Sequence, residues 1–448
     1  MSARTLNVYV DQTLIGSLSE ENNLWVFEYD PAWAKGAKGY DLSPALPRAT
    51  LRHADGGSDR PVQWFFDNLL PEELLRKAVA QEAGIRDYED AFALLTYLGA
   101  ESAGALTLLP PDVPLPTEVA LSELPDEDLS ARIRALPKQT LSKNAPKRMS
   151  VAGAQHKMLV VIKRGTMFEP VGATPSTYIL KPDHPDADTY PATAFNEFLT
   201  MRLAAAARLT VPKVELRYVP EPVYLIERFD RVVDARSLLS PDRLAPPIVN
   251  RVHIIDACQL LNKDRTFKHT GATLDALNKI VERTTNKLAT RTGLFRWLVF
   301  NILVGNDDCH LKNISFHVRE DGVWLAPHYD LLCTASYYTR AFADDRASWS
   351  QVPMAFALPG AVTFGEVTLE AILAAAAHLG LPRPAAQRIV KEVTARVERE
   401  LAAISRRHEE MAENPPANRS LYAAVEARLL RVMQHIVLKD MLERLLPK

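Results

Sequence analysis

The most informative segment of the chain reads Gly305-Asn306-Asp307-Asp308-Cys309-His310-Leu311-Lys312-Asn313. Before it, residues 295–303 carry apolar side chains at i, i+3, i+4, i+7 and i+8, which predicts a helix with one buried face. After it, residues 314–318 have the apolar pattern of a strand. Polar residues so closely spaced between two apolar elements belong on a loop at the mouth of a core.

The spacing within this loop indicates chemistry. A single Asp or Asn here is more simply a turn residue that bonds its own backbone. However, Asp308 and Asn313 are five positions apart, as in the H-R-D-x-x-x-x-N loop of protein kinases, where Asp accepts the substrate hydroxyl proton and Asn holds Mg²⁺. His310 and Lys312 lie between them, and a cation there can neutralise a transferring phosphoryl group. The loop therefore predicts catalytic roles for Asp308 and Lys312.

A second acidic residue strengthens this interpretation. Asp330, in Pro327-His328-Tyr329-Asp330-Leu331, follows Asn313 by 17 residues. A strand pair turning at Glu320-Asp321-Gly322 would return the chain to the same place. Mg²⁺ prefers carboxylate and carbonyl oxygens and keeps several waters. We therefore predict that Asn313 and Asp330 hold Mg²⁺.

A lysine and a glutamate upstream suit the phosphates of a nucleotide. Lys181 ends a strand pattern at residues 177–181, and Glu197 follows 16 residues later in a helical pattern at residues 195–208. Taken alone, Lys181 is a surface lysine and Glu197 a first-turn carboxylate favoured by the helix dipole. Together they match the strand lysine and helix carboxylate with which protein kinases orient ATP.

Two further segments are candidates for nucleotide binding. Ser150-Val151-Ala152-Gly153-Ala154-Gln155-His156-Lys157 has small residues that let a backbone approach an anion, although it contains neither G-x-G-x-x-G nor G-x-x-x-x-G-K-[ST]. Tyr224-Leu225-Ile226-Glu227-Arg228-Phe229-Asp230-Arg231 is an apolar strand that ends in charges, where the adenine-binding hinge of a kinase would fall. An ordinary loop and an ordinary strand end are the alternatives.

The composition excludes several classes of protein. The 448 residues carry a formal net charge of −2, which disfavours nucleic-acid binding by bulk charge. The apolar stretches are far shorter than the ~20 residues that span a bilayer, and residues 1–16 lack the pattern of a secretion signal. Three cysteines without a CxxC pair indicate a reducing cytoplasm. No pattern such as H-E-x-x-H predicts a catalytic metal other than Mg²⁺.

Changes in pattern divide the chain into four parts. Residues 1–110 predict a β-rich N-terminal subdomain, and residues 111–147 a Pro-rich linker with one short helix near 126–135. Residues 148–251 predict a small lobe of strands around one helix, and residues 252–448 a mainly helical part that carries the catalytic loop. Other predicted elements are strands at 6–10, 24–29, 158–163, 214–218 and 223–226 and helices at 62–81, 88–98, 384–410 and 420–446.

The motifs together resemble those of the HipA-type serine/threonine protein kinase toxins. In chain order they read S-V-A-G-A-Q-H-K, Y-I-L-K, N-E-F, E-R-F-D-R, N-D-D-C-H-L-K-N and P-H-Y-D. The resemblance covers essentially the whole chain. It implies an α+β, bilobed protein-kinase-like fold, with an N-terminal β-rich subdomain, a kinase N-lobe at residues 148–251 and a mainly helical C-terminal lobe.

The resemblance also implies residue roles. Asp308 matches the proton-accepting Asp, Asn313 and Asp330 match the Mg²⁺ ligands, and Lys181 matches the phosphate-binding lysine. Ser150 matches the site of an autophosphorylation that switches the kinase off, because a new charge of about −1.5 to −2 disrupts the loop. The positions matching the ATP-binding residues of the family are Ala152, Gly153, Ala154, Gln155, His156, Lys157, Lys181, Glu227, Arg228, Phe229, His310, Leu311, Lys312, Asn313, Tyr329 and Asp330.

The family resemblance implies partners as well. Members commonly phosphorylate an aminoacyl-tRNA synthetase, and they pair with a HipB-like helix-turn-helix antitoxin that binds operator DNA. The stretch at residues 363–381, where the family has basic residues that contact DNA, contains no Lys or Arg. We therefore expect the antitoxin to make most of the DNA contacts, and the complex to be cytoplasmic and without membrane contact.

Two other functions fit parts of the same pattern. A small-molecule kinase of the aminoglycoside or choline type shares the D-x-x-x-x-N loop and the second acid, but the Ser150 loop and the N-terminal subdomain argue against it. An inactive kinase fold that serves as a co-repressor is the third hypothesis, although every expected catalytic residue type is present.

Overall fold

Helices and antiparallel sheets make up the structure, a computed structural model that describes residues 3–149, 152–412 and 418–446. The strands, numbered in chain order, are β1 (Arg4–Val10), β2 (Thr13–Glu21), β3 (Leu24–Tyr29), β4 (Arg52–Ala54), β5 (Leu106–Leu109), β6 (Val119–Glu123), β7 (Met158–Lys163), β8 (Thr166–Gly172), β9 (Tyr178–Pro182), β10 (Val214–Tyr218), β11 (Pro222–Glu227), β12 (Arg231–Val233), β13 (Val249–Arg251), β14 (Ile254–Asp256), β15 (Ser315–Arg319), β16 (Gly322–Leu325), β17 (Pro353–Leu358) and β18 (Ala361–Thr363). The α-helices are α1 (Pro31–Lys35), α2 (Pro61–Asp67), α3 (Glu73–Glu82), α4 (Ala91–Leu98), α5 (Asp126–Arg134), α6 (Thr193–Ala206), α7 (Ala235–Leu238), α8 (Ala257–Leu261), α9 (Leu274–Arg283), α10 (Lys287–Val304), α11 (Arg340–Ala343), α12 (Leu369–His378), α13 (Arg383–Ala412), α14 (Ala423–Val432) and α15 (Lys439–Leu445). The predicted α+β class is confirmed.

These elements form two compact units. The first unit contains Met1–Lys181, Glu227–Phe267 and Ser315–Ala326. The second unit contains Pro182–Ile226, Lys268–Ile314 and Pro327–Lys448. The division predicted from the sequence, with boundaries after residues 110, 147 and 251, stays a prediction.

The first unit begins with an antiparallel sheet in the order β4-β3-β2-β1-β5. Alternate residues of β1 are buried, as the sequence pattern predicts. Strand β2 is missing from the prediction because it contains glycine and glutamate, which are depleted in strands. Gly16 is needed there, since a Cβ atom would lie 2.4 Å from the carbonyl oxygen of Glu28 on β3. Close backbone approach, rather than strand propensity, therefore selects this residue.

A second antiparallel set of strands follows in the same unit. Strand β8 pairs with β6 and β7, and β7 also pairs with β9. Leu121 from β6 packs with Val161 and Phe168 in a small buried cluster. Strand β6 and helix α5 both lie in the predicted linker, where only the helix was expected. The strand predicted at 158–163 agrees closely with β7, and the strands predicted at 214–218 and 223–226 agree closely with β10 and β11, which lie almost entirely in the second unit.

The helix predicted over residues 62–81 is wrong as a single element. The structure has α2 and α3 there, separated by a break that contains Pro71. Proline has no N–H to donate and disfavours helical geometry at the residue before it. Glu73, the first residue of α3, has a φ of +50°. The break is therefore local in origin, although the sequence pattern on both sides is helical.

The second unit is mainly helical, with α10 packed against α9 and α13. Phe295, Leu298 and Val299 of the predicted apolar face are fully buried, but Trp297 and Phe300 are buried as well, so α10 is buried on more than the one face predicted at residues 295–303. The pattern at 384–410 corresponds to α13, and the pattern at 420–446 is divided into α14, the π-helical segment Met433–Leu438 and α15. Among the described residues, no helix combines the length and apolarity that a membrane crossing requires.

Candidate active site

Helix α10 ends in a turn that only glycine suits. Gly305 has a φ of +65°, in the left-handed region. A Cβ atom at this position would lie 2.5 Å from the Cβ atom of Ala335. The Gly305 carbonyl accepts hydrogen bonds from the N–H of Ala335 at 2.9 Å and from the hydroxyl of Thr334 at 3.0 Å. The chain therefore leaves the helix sharply, and the polar loop starts from a fixed point.

A buried asparagine pair holds the start of the loop. The Nδ2 of Asn306 donates to the Oδ1 of Asn301 at 2.7 Å, and the Nδ2 of Asn301 donates to the carbonyl of Trp297 at 2.8 Å. The Oδ1 of Asn306 in turn accepts from the N–H of Asp308 at 3.1 Å. Asn301 and Asn306 therefore position Asp308. This role was not predicted from the sequence, where the available signal was a polar Asn301 within an apolar helix.

The carboxylate of Asp308 lies at the surface of the second unit while its backbone is held. Its side chain is 58% exposed, and its carbonyl accepts hydrogen bonds from the Nδ2 of Asn313 at 2.8 Å and the N–H of His310 at 2.9 Å. Asn313 is buried, and because its amide nitrogen bonds the loop, its Oδ1 is the atom suited to a metal. The structure thus brings the two residues of the predicted D-x-x-x-x-N pair together.

The neighbouring Asp307 has a different environment. Its Oδ2 accepts a hydrogen bond from the hydroxyl of Tyr338 at 3.1 Å, and its N–H donates to the hydroxyl of Thr334 at 2.9 Å. Burial and then the negative charge of Asp307 raise the pKa of Tyr338, so the phenol remains a hydrogen-bond donor. Asp307 thus supports the loop, and Asp308 is the more exposed of the two acids.

The segment that carries the second acid is tied to the same loop. The hydroxyl of Tyr329 donates to the carbonyl of Lys312 at 2.7 Å. Asp330 follows with a φ of +57°, a left-handed conformation in which an Asp is tolerated. Asp330 is half-buried, whereas Lys312 is almost fully buried. The predicted return of the chain to the loop is therefore present within the second unit.

Glu197 and Asp330 act on one buried phenol in the second unit. The pKa of Tyr224 is raised well above its ordinary value, first by burial and then by the negative charges of Glu197 and Asp330. Glu197 lies in the first half of α6 and is almost fully buried. The negative charges of both carboxylates therefore disfavour ionisation of this phenol.

The predicted phosphate loop belongs to the first unit. Gly153 has a φ of +114°, and its carbonyl accepts a hydrogen bond from the N–H of Glu72 at 3.2 Å. The Nζ of Lys157 donates to the carbonyl of Ala152 at 2.6 Å. The loop is therefore closed on itself and attached to the chain before α3. Ser150, the predicted autophosphorylation site, lies outside the described residues.

Lys181 is almost fully buried at the end of β9. Strand β9 is held by pairing with β7, in the register Met158↔Leu180. Lys181 belongs to the first unit and Glu197 to the second. Their predicted pairing, and the approach of Lys181 to Asp330, therefore stay predictions.

The side chain of Arg228 is enclosed in a buried ionic network of the first unit. It is 3% exposed, and it donates to Asp230 through Nε and Nη2, at 2.9 and 2.6 Å. Its Nη1 donates to Glu101 and Ser176, at 3.2 and 3.0 Å, and its Nη2 also to the carbonyl of Ser102 at 3.1 Å. These bonds use all five N–H donors of a guanidinium, so this side chain is structural.

Glu101 is the centre of this network. It is fully buried and forms ion pairs with Lys147, Arg228 and Arg231, at 2.7, 3.2 and 3.1 Å. The N–H and hydroxyl of Ser176 also donate to it, at 3.1 and 2.8 Å. Burial alone would raise the pKa of Glu101, but the nearby cations lower it well below its usual range. The carboxylate of Glu101, in the chain after α4, therefore links two other segments of the first unit. One contains Lys147 and precedes the predicted phosphate loop, and the other is the predicted hinge, which contains Arg228 and Arg231.

We expect the first unit to lose stability as the pH falls from about 4 to about 2. Burial would raise the pKa of Asp230, but Arg228 and Arg231 lower it to about 2, below the ~3.9 of an unfolded chain. A carboxyl whose pKa is lower in the folded state stabilises the fold above the unfolded pKa, and this contribution, about 2–3 kcal/mol, is lost as the pH falls through the folded pKa.

Thermal unfolding measured between about pH 5 and pH 2 tests this pH dependence. Near pH 5, the Asp230→Asn variant should be less stable than the parent. Its melting temperature should also change less with pH than that of the parent. A variant curve that runs parallel to the parent curve over the whole range would contradict the assignment.

Two family profiles match this chain. Residues 6–109 match the HipA N-terminal domain, and residues 149–401 match the HipA-like C-terminal domain. The second match alone covers more than half of the chain and contains Lys181, Glu197, Asp308, Asn313 and Asp330.

Curated proteins from two bacteria are similar to the chain. A protein of Sinorhizobium fredii named "Putative kinase Y4mE" is 36% identical over 350 residues, which cover 75% of this chain and 79% of that protein. The "Serine/threonine-protein kinase toxin HipA" of Shewanella oneidensis is 29% identical over 353 residues, which cover 74% of this chain and 76% of that protein.

A solved structure has the same fold. It is the complex of HipA, HipB and operator DNA from Shewanella oneidensis, and the match has a TM-score of 0.75 at 24% identity. The match covers 98% of this chain and 99% of that chain. The kinase-like fold predicted from the sequence is therefore confirmed.

Proposed function

Because the chain belongs to the HipA family of kinases, we propose that it transfers phosphate from Mg²⁺·ATP to a serine or threonine of a target protein. We further propose that this activity makes it a growth-arresting toxin. The observation that carries the proposal is the arrangement of the catalytic loop, in which Asp308 is exposed on a backbone held by Asn313 and the segment of Asp330 is attached through Tyr329.

Each residue around the loop has its own proposed role in phosphoryl transfer. Asp308 orients the target hydroxyl and accepts its proton, for which an exposed carboxylate on a fixed backbone is suited. The Oδ1 of Asn313 and the carboxylate of Asp330 are hard oxygen ligands that fit Mg²⁺. When bound, Mg²⁺ neutralises charge on the nucleotide phosphates. Lys312 lies between these groups in sequence and adds positive charge near the transferred group.

Adenine binding is proposed for the backbone around residue 228 rather than for its side chain. The N–H of Arg228 donates to the carbonyl of Thr177 at 2.9 Å, and its guanidinium is used within the ionic network. The hinge contacts are proposed for the backbone groups of Glu227 and Phe229. The ring of Phe229 packs edge-on against His317, at 5.9 Å between centroids, which fixes the turn that presents them.

The phosphates are proposed to lie between the loop at residues 152–157 and Lys181. The small side chains of Ala152, Gly153 and Ala154 leave the backbone accessible to an anion, and Gln155, His156 and Lys157 complete this contact. Glu197 is proposed to pair with Lys181 when nucleotide is bound. His310, Leu311 and Tyr329 are proposed to contact the nucleotide from the second unit.

The proposed partners follow from family membership. A HipB-like helix-turn-helix antitoxin would neutralise the kinase in the cytoplasm and make most contacts to operator DNA. The proposed target is a component of translation, such as an aminoacyl-tRNA synthetase. Phosphoproteomics of cells that express the chain or its Asp308→Asn variant would identify the target as the protein phosphorylated only by the active chain.

A transfer assay with different acceptors tests the reaction class. The purified chain, Mg²⁺ and labelled ATP should label a protein acceptor and the chain itself, and should leave aminoglycosides and choline unlabelled. Transfer to a sugar or amine in preference to protein would favour the small-molecule kinase. Tight binding of Mg²⁺·ATP without any transfer would favour the inactive co-repressor.

We expect the Ser150→Ala variant to arrest growth for longer than the parent chain. The proposed autophosphorylation adds about −1.5 to −2 charge units beside the phosphate site and ejects the loop, and alanine removes the acceptor hydroxyl. Growth recovery after a pulse of expression measures the effect. The matched control is Ser58→Ala, at an exposed serine of the first unit, which should recover like the parent. Equal recovery of the Ser150→Ala variant and the parent would count against this switch.

A further inference from the structure

We propose that His269, Asp308 and His310 form a binding site for a divalent transition-metal ion such as Zn²⁺, and that this ion blocks phosphoryl transfer. The second part rests on the proposed function. Ligand atoms of the three residues all lie within 4.8 Å of one another. The Nε2 of His310 is 3.8 Å from the Oδ1 of Asp308, and the rings of His269 and His310 are 4.7 Å apart between centroids.

The backbones that carry these ligands are held together within the second unit. The N–H of Leu311 donates to the carbonyl of Lys268 at 3.1 Å, which joins the residue after His310 to the residue before His269. His310 is 7% exposed and therefore nearly fixed, whereas His269 and Asp308 are exposed. Rotation of these two exposed side chains can shorten the ligand separations around an ion without moving the backbone.

The ligand types select the ion. Two imidazole nitrogens and one carboxylate oxygen, with water in a fourth position, match a Zn²⁺ site with an open coordination position, at about 2.0–2.2 Å per ligand. Mg²⁺ prefers oxygen ligands only, so it would choose Asn313 and Asp330 instead. The adjacent Cys309 does not contribute, because its Sγ donates to the carbonyl of Asn306 at 3.3 Å and burial raises the pKa of its thiol.

The site shares its carboxylate with the proposed reaction. An ion on Asp308 occupies the oxygen that accepts the hydroxyl proton of the target, so it stops transfer. The sequence pattern did not reveal the site because His269 and His310 are 41 positions apart and share no helix.

Binding of Co²⁺ to the metal-free, full-length chain tests the site without using activity. A three-ligand site of this type should give the visible absorption of tetrahedral Co²⁺, and Zn²⁺ should displace it. The His269→Ala variant should bind Co²⁺ at least about tenfold more weakly than the parent. The matched control is His378→Ala. His378 is an exposed histidine whose Nε2 lies 2.8 Å from Asp275, and its removal should leave the affinity unchanged.

The effect on transfer is measured with the same three proteins. Zn²⁺ should inhibit the parent and the His378→Ala variant equally, and His269→Ala should need at least about tenfold more Zn²⁺ for the same inhibition. Basal transfer by His269→Ala should equal that of the parent. Equal Co²⁺ affinity of the parent and His269→Ala would overturn the site, and equal Zn²⁺ sensitivity would overturn the inhibition. A chain that transfers no phosphate would refute the proposed function, and the Co²⁺ measurement would still decide the site.

Discussion

The Asp308→Asn variant should fold like the parent and transfer phosphate at least about a thousandfold more slowly. A positioned general base contributes about 10²–10⁴ in rate, and an amide can neither accept the proton nor carry the charge. The fold should persist because the side chain is 58% exposed and its structural contacts are made by the backbone carbonyl and N–H. Initial rates of transfer from labelled ATP, with circular dichroism as the check of folding, measure both parts.

Asp307→Asn is the matched control for this experiment. It changes the adjacent residue in the same way, and asparagine keeps an oxygen that can accept from Tyr338, the partner of Asp307 in the structure. We expect this variant to keep its rate within about tenfold of the parent. Normal autophosphorylation by Asp308→Asn, or an equal loss in both variants, would remove Asp308 from the catalytic role.

Replacing Glu101 by alanine should destabilise the first unit by about 3–5 kcal/mol, the usual cost of removing one partner from a buried ion pair. Lys147, Arg228 and Arg231 would keep their charges in the interior and lose the carboxylate that all three bind. For a unit of this size, the loss corresponds to a melting temperature lower by roughly 10 °C. Scanning calorimetry of the full chain measures this shift.

The control for Glu101 is an ion pair at the surface of the same unit. Glu123 pairs with Arg243, and both side chains are about half exposed. Glu123→Ala should therefore cost at most about 1 kcal/mol. The loss of stability in Glu101→Gln should lie between those of Glu101→Ala and Glu123→Ala, because glutamine keeps a hydrogen-bond acceptor but removes the charge. A melting temperature for Glu101→Ala equal to that of the parent would mean that the network does not stabilise the unit.

The position of the polar loop at residues 305–313, between a helix and a strand, could be predicted from the sequence because its signals are local. An apolar helix, a cluster of polar residues and a strand follow one another within about thirty residues, and the spacing of Asp308 and Asn313 has a specific chemical meaning. The structure adds contacts between residues that are distant in the sequence. Tyr338 engages Asp307 from 31 residues away, and this contact separates a supporting acid from the exposed one.

The role of the Arg228 side chain could not be predicted, because most of its partners are distant in the sequence. Its position at the end of an apolar strand indicated a nucleotide-binding hinge, but its side chain is bound to Glu101, 127 residues away. No local periodicity marks Glu101 as the partner of three cations. Strand β2 was missed for a related reason, since Gly16 is selected by close contact with β3 rather than by strand propensity.

The central claim is that Asn313 and Asp330 hold the metal of an ATP complex which Asp308 faces. A crystal structure of the chain with Mg²⁺ and a non-hydrolysable ATP analogue tests this claim most directly. We predict that the Oδ1 of Asn313 and a carboxylate oxygen of Asp330 lie about 2.1 Å from one Mg²⁺, with Asp308 facing the terminal phosphate. Metal and nucleotide bound away from these three side chains would contradict the account.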